Sequence, residues 1–263
     1  MTPRLAFELA RRGFRRHATY RAATVAGVVT NTIFGFLRGA VLLAAIGAAA
    51  APLAGYDRGR ALTYVWLGQA LIGPIAIFRW TEIADRIRTG ELASDLSRPA
   101  DFQTWWLCDD IGRGTYQVVV RGSLQLAIGA LVGQTLAPSS WPRAGLFVVS
   151  VALAVIVSFG LRFLANLWVF WTLDPRGPTA VYTVLAVGLS GFVIPIDFYP
   201  GWLVTLQRLL PFSALVQGPV DVYLATRPAL EVLGLQALWA AVLFGAGRAL
   251  LGAASHRLVV QGG

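Results

Sequence analysis

The stretch SGFVIPIDFYPGWL, Ser190 to Leu203, decides how the chain is read. It follows a long apolar run, yet carries two prolines, an acid and four aromatic residues. Pro195 supplies no backbone donor and disfavours helix at Ile194, so a helix arriving from Thr179 is expected to stop there. Pro200 suits the first turn of a new helix. Trp202, Leu203, Leu206, Leu209 and Leu210 then form an apolar stripe, with Gln207 and Arg208 opposite, and Pro211 ends it. A span that breaks, a short amphipathic helix in an interface, and the loop PFSALVQGPVDVYL are the expected sequence of events. A loop with aromatic anchors and no further role is the plainer alternative.

Composition sets the surroundings of this break. The 263 residues are 56% hydrophobic and 13% charged, with a mean hydropathy of +0.64. A soluble domain carries about 25% charged residues, so the chain reads as an integral membrane protein. A helix needs about 20 apolar residues to cross the hydrocarbon. Six stretches qualify: Ala22–Ala45, Ala61–Phe78, Tyr116–Leu136, Gly145–Trp171, Thr179–Pro195 and Glu231–Leu251. The second and fifth are short enough to be tilted, broken or re-entrant.

The net charge of +9 comes from arginine alone, without a single lysine. The arginines lie between apolar runs rather than on one polar face, which argues against a nucleic-acid partner. Thirteen fall in segments on the N-terminal side of the membrane and five on the other side. The positive-inside rule therefore places both termini in the cytoplasm. Cys108 is the lone cysteine, which excludes an intrachain disulfide and a thiolate metal cluster. His17 and His256 sit near opposite ends.

The first 21 residues read as an interfacial helix, with Leu5, Leu9 and Phe14 on its apolar side and arginines toward anionic lipid. The segment Arg79 to Gly114 holds seven of the thirteen acids, alternating with bases. Thr81 to Arg88 can form a short helix that Gly90 breaks, and Trp105 and Trp106 suit an aromatic belt. A solvated loop is the bland reading, and a docking element the more informative one. Arg38, Arg121 and Arg162 fall inside spans, where a charge costs about 2.5–3.5 kcal/mol and usually faces protein or a wet cavity. Arg121 is placed to snorkel inward. Arg38 and Arg162 are candidates to line a translocation path or to pair between subunits. Gly35 with Gly39, and Gly129 with Gly133, have the spacing for close helix packing.

The pattern Gly191, Ile194-Pro195, Phe198-Tyr199-Pro200, Trp202-Leu203, then Leu210-Pro211-Phe212, Gln217-Gly218-Pro219 and Tyr223-Leu224 resembles the closing signature of type 2 ATP-binding-cassette (ABC) transporter permeases. Gly90-Glu91-Leu92 with Asp95-Leu96-Ser97-Arg98-Pro99 resembles that family's cytoplasmic stretch between spans two and three. The ending Arg257 to Gly263 resembles a subgroup of permeases of about this length. The resemblance implies one domain, residues 1–263: an all-α integral membrane protein of six transmembrane helices with an interfacial elbow helix (1–21), a cytoplasmic coupling region (79–114) and an outer gate (190–230). It implies a permease subunit of an ATP-driven exporter of amphipathic, drug-like or lipid-like molecules, in the bacterial inner membrane.

Further expectations follow from the resemblance. Glu82, Asp85, Arg86, Arg88 and Glu91 would couple to an ATPase. Pro195, Phe198, Tyr199, Pro200, Trp202 and Leu206 would form the gate. The partners would be a dimer of ATP-binding subunits, a second permease (a copy of this chain or a relative) and membrane lipid. The chain itself would carry no cofactor, ATP and magnesium being held by the ATPase. The absence of lysine agrees independently, because a P-loop needs one to reach the β- and γ-phosphates.

Two other classes compete. A lipid-modifying membrane enzyme would want convergent acids or histidines, but the adjacent Asp109 and Asp110 point about 100° apart on a helix. An ion-coupled secondary transporter would bury acids within its spans, whereas the acids here lie in loops or at span ends.

Overall fold

The computed structural model describes residues 1–48, 55–78, 80–96 and 100–255. Within them every regular element is helical. In chain order these are α1 (Pro3–Ala18), α2 (Arg21–Ala48), α3 (Arg58–Ile75), α4 (Glu82–Thr89), α5 (Leu92–Leu96) and α6 (Phe102–Tyr116). A π-helical segment, Gln117–Gly122, then runs into α7 (Ser123–Leu131). The remainder is α8 (Trp141–Leu167), α9 (Val169–Thr172), α10 (Arg176–Leu189), α11 (Gly201–Leu209), α12 (Gln217–Leu224) and α13 (Ala229–Ser255), with short 3-10 turns at Ile196–Phe198 and Pro211–Ala214.

Among the described residues three stretches are long and apolar enough to cross a membrane: Arg21–Ala48, Trp141–Thr172 and Ala229–Ala254. They coincide with the predicted first, fourth and sixth spans. On α2 the side chains of Val25, Val29 and Ile33 stay exposed, as suits a surface that meets acyl chains as apolar as themselves.

The other three predicted spans take different forms. The second is α3, whose residues Ala61 to Leu71 are all buried; α2, the π segment, α7, α8 and α12 surround it. It is the central post of the molecule, apolar on every side apart from Thr63 and Gln69. The third belongs to a continuous helical run from Phe102 to Leu131. That run ends five residues before the predicted Leu136, at Gly133 with φ +67°, where the amide of Gln134 folds back onto the carbonyl of Gly129 at 2.8 Å. Gly133 is thus a helix stop rather than a packing residue. The other three glycines do pack: Gly35 and Gly129 face the ring of Trp66, and Gly39 faces Leu62.

The fifth span departs most from expectation. The helix α10 has 14 residues and stops at Leu189, six before Pro195. Gly191 adopts φ +77°, which L residues avoid, and the Gln217 amide donates to the Ser190 carbonyl at 3.0 Å. A turn pinned by α12, not the proline, ends the helix.

Close backbone approach fixes the N-terminal helix. Instead of lying free, α1 packs along α6. Leu9 and Gly13 are buried there, and Phe14 meets Tyr116 edge-on at 5.4 Å, while Leu5 and Phe7 remain exposed. A Cβ on Gly112 would fall 1.8 Å from the Ala10 carbonyl oxygen. Gly112→Ala should therefore force α1 off α6, an overpacking cost of about 1–3 kcal/mol. It should lower the thermal midpoint in detergent and expose Arg11 and Arg12 to trypsin. Gly145→Ala, where a Cβ meets open space, should do neither.

Candidate functional site

Three arrangements occupy one continuous column through the molecule: a buried charge cluster, a short helix mounted on it, and a large cavity above. The cluster begins with Asp110 and Arg113 on α6, three residues apart and hence on one helix face. Arg113 Nε donates to Asp110 Oδ1 at 2.6 Å. From α8, Arg162 Nη2 donates to Asp110 Oδ2 at 2.7 Å, and its Nε donates to Ser158 Oγ at 3.1 Å. Arg162 and Asp110 are each only 1% exposed at the side chain.

One carboxylate does not neutralise two guanidiniums. The remaining positive charge is met by the C-terminus of α3, where carbonyls lack helical partners and carry about half a negative charge. Arg113 donates to the carbonyls of Gly73 at 2.8 Å and Pro74 at 2.7 Å. Ser158 Oγ donates to the carbonyl of Ile75. A buried pair stripped of one partner becomes an uncompensated charge, so this cluster locks α3, α6 and α8 together.

The helix α4 is mounted on the same place. Asn166, one turn beyond Arg162 on α8, accepts from the amide of Ala84 at 2.9 Å and donates to the carbonyl of Trp80 at 2.9 Å. The Trp80 ring lies under the Arg162 guanidinium, 4.8 Å from it. Ile83 and Ala84 are buried, and α4 ends at Gly90, as predicted, in the left-handed region.

The five candidate coupling residues divide into two groups. Glu82 is taken by Arg16 of α1 at 2.7 Å, and Arg16 also reaches Asp109 at 2.9 Å. Arg86 is held by Asp95 at 2.7 Å and lies over Trp106. These two are turned inward, toward the rest of the chain. Asp85, Arg88 and Glu91 are 54%, 53% and 59% exposed. Trp106, expected in an aromatic belt, is interior, edge-on to Trp80 and Phe102. Arg79, Ser97, Arg98, Pro99 and the motif 257–263 lie outside the described residues.

Above the cluster lies a cavity of about 1220 Å³ between α2, α3, the π segment and residues 192–198. Trp80 and Arg113 belong to its lining, and so do Arg38 and Arg121, whereas Arg162 does not. Arg38 donates to the carbonyls of Phe192 and Val193 and stands over the Phe192 ring, 4.6 Å from its centre. Arg121 crosses α2 at Gly27, where a Cβ would fall 2.0 Å from Nη2. His17 lines the same space, and burial pushes its imidazole below the usual value, with Arg16 and Arg113 acting in the same direction.

At the far end, Pro195 precedes the turn Ile196–Phe198, and Pro200 precedes α11, whose bounds match expectation. Phe198 packs on Tyr56, edge-on at 5.3 Å. The amphipathic helix is turned the opposite way from a soluble one. Gln207 is 1% exposed, and Arg208 pairs with Asp197, while Trp202 is 71% exposed, with Leu206 and Leu209 beside it. Behind α11, Gln217 Oε1 accepts from the amide of Ile196 at 3.1 Å and its Nε2 donates to Asp221 at 2.8 Å. Burial pushes the Asp221 carboxyl up, opposed by hydrogen bonds from Thr226 and Gln217.

The sequence does not single out Arg113, Ser158 or Asn166, and it raises Asp110 only as half of an acid pair that cannot converge. The available signal was Arg162 itself: a cation at that depth requires an anion, and Asp109 and Asp110 were the nearest acids to a span. The structure sends those two to different partners, Arg16 and Arg162. Asp110→Asn should cost about 3–5 kcal/mol, because two buried cations lose their anion. Arg162→Met, which leaves a one-to-one Arg113–Asp110 pair, should cost clearly less. Unfolding of both variants in detergent checks the order.

No curated protein matches the chain. The family described as ABC-2 family transporter protein matches residues 33–262, nearly the whole chain. The chain belongs to the ABC-2 transporter family and is a membrane permease.

Proposed function

We propose that the chain is the membrane half of an ATP-driven exporter that moves an amphipathic molecule through the cavity beside α3, powered by a separate ATPase. In this reading α2, α3, the α6–α7 run, α8, α10 with its following turn, and α13 make six spans. Both termini face the cytoplasm of a bacterial cell, and two permease chains, identical or related, stand on two ATP-binding subunits.

The observation that carries the proposal is the mounting of α4. This helix presents Asp85 and Arg88 outward, with Glu91 exposed just past its end, while Asn166 and the Arg162–Asp110–Arg113 cluster join its base to Trp80 and Arg113 in the cavity lining. A push on α4 is therefore delivered to α3, α6 and α8 together. Pro195, Phe198, Tyr199, Pro200, Trp202 and Leu206 serve as the gate at the other end, and Arg38 lines the path.

Exchanging the charges, Asp85→Arg with Arg88→Glu, keeps their exposed ion pair and should change stability by no more than about 1 kcal/mol. It should abolish magnesium-dependent ATP hydrolysis that co-purifies with the wild-type chain from its own membranes. Unchanged co-purification would remove α4 as the docking element. Cysteines at positions 58, 143 and 227 in a Cys108→Ala background should react with an impermeant thiol reagent in intact cells. Labelling at position 89 under the same conditions would overturn the orientation.

A further inference from the structure

We infer that the cavity beside α3 takes an anionic amphiphile, a phosphate or carboxylate headgroup on an acyl-type tail. The inference rests on the transporter reading and gives that reading its substrate class.

The charge of the lining carries the argument. Arg38, Arg113 and Arg121 face the cavity, and no Asp or Glu belongs to its lining. Arg113 shares its carboxylate with Arg162. Arg38 has only neutral partners: the carbonyls of Phe192 and Val193 and, with its oxygen turned toward the guanidinium, the Gln69 amide at 3.1 Å. Arg121 is poorer still. Among the described residues its one hydrogen bond is to Gln117 Oε1 at 3.4 Å, and its buried Nε has no partner. A guanidinium placed at such depth with weak neutral partners gains most from an anion, which converts those contacts to charge-assisted bonds.

The backbone is arranged to place this group. Gln117 and Arg121 stand four apart on the π-helical segment, a distortion frequently found at functional sites. Gly27 leaves the space in which the Arg121 guanidinium lies. The rest of the lining fits a tail: Phe34, Leu37 and Val41 of α2 face the cavity yet stay exposed, opposite Val65 and Ile72 of α3. At about 1220 Å³ the space exceeds the upper end of small-ligand pockets, about 1000 Å³. A cationic amphiphile would meet three like charges here.

The test uses the full chain purified in a neutral maltoside detergent, with a fluorescent lysophosphatidic acid as the probe. Unlabelled lysophosphatidic acid should displace it at least about tenfold better than lysophosphatidylcholine or an alkyltrimethylammonium of equal tail length. Glycerol 3-phosphate, a headgroup without a tail, should displace it poorly. Arg121→Gln and Arg38→Gln should each weaken binding by about five- to tenfold, and Arg121→Lys should restore most of it. Equal displacement by all three headgroups overturns the inference. So does glycerol 3-phosphate competing as well as the lipid, or a monodisperse Arg121→Gln that binds normally. If Arg38→Gln does not fold, the wild-type headgroup order and Arg121→Gln decide alone. If a second copy fills the groove, Val41→Cys in a Cys108→Ala background will form disulfide dimers that exclude the probe, which also overturns it. Loss of headgroup selectivity with ATPase co-purification intact sinks this inference only. Selectivity without any co-purifying ATPase leaves the binding site and sinks the transporter reading.

Discussion

A single carboxylate, that of Asp110, holds two guanidiniums from two helices, and α3, α4, α6 and α8 meet around it. The arrangement works because the excess positive charge is aimed at the C-terminus of α3, where three carbonyls in succession, those of Gly73, Pro74 and Ile75, accept side-chain donors. Arginine suits the role better than lysine. Its planar fork lets Arg113 bind a carboxylate with one edge and two carbonyls with the other. Because Asn166 continues the same hydrogen-bonded path to α4, the cluster fixes where the exposed charges of that helix stand relative to the cavity.

The opposite end adds amides to a single ion pair, Arg208 with Asp197. Gln217 reaches the backbone of Ile196 and the carboxyl of Asp221, and Gln236 of α13 ties Ser150 of α8 to the turn at Ala214. These bonds hold the segment after α10 without a regular helix. They also explain the orientation of α11. Gln207 and Arg208 find partners only toward the protein, whereas the outward face of Trp202, Leu206 and Leu209 suits acyl chains. The usual association of polar with outside is reversed where the outside is hydrocarbon.

Apart from the stop at Gly133, which its spacing to Gly129 disguises as a packing site, local causes are legible in the sequence. The apolar runs of α2, α8 and α13 declare themselves by length. The end of α4 follows from Gly90, and the bounds of α11 from Pro200 and Pro211. What failed depended on distant partners. The stop of α10 at Leu189 needs Gln217, 27 residues beyond Ser190 in the chain. The fate of Arg162 needs Asp110, 52 residues away, and Asp109 and Asp110 look alike until Arg16 and Arg162 claim one each. The inward turn of Glu82 and Arg86 likewise depends on Arg16 and Asp95. Charge alternation alone does not distinguish these from the exposed Asp85 and Arg88.

The burial of α3 on every side bears on how the protein is made. This helix carries arginines at its start and Gln69 within, and it falls short of the length and hydropathy that mark the three long spans. Its cover comes from α2 before it and from α7, α8 and α12 after it, the last ending at Leu224. Contacts so far apart in sequence form late. During synthesis α3 must therefore wait, half-covered by α2, until most of the chain has emerged. Its polar groups are then a natural mark by which a membrane quality-control system could tell an incomplete chain from a finished one.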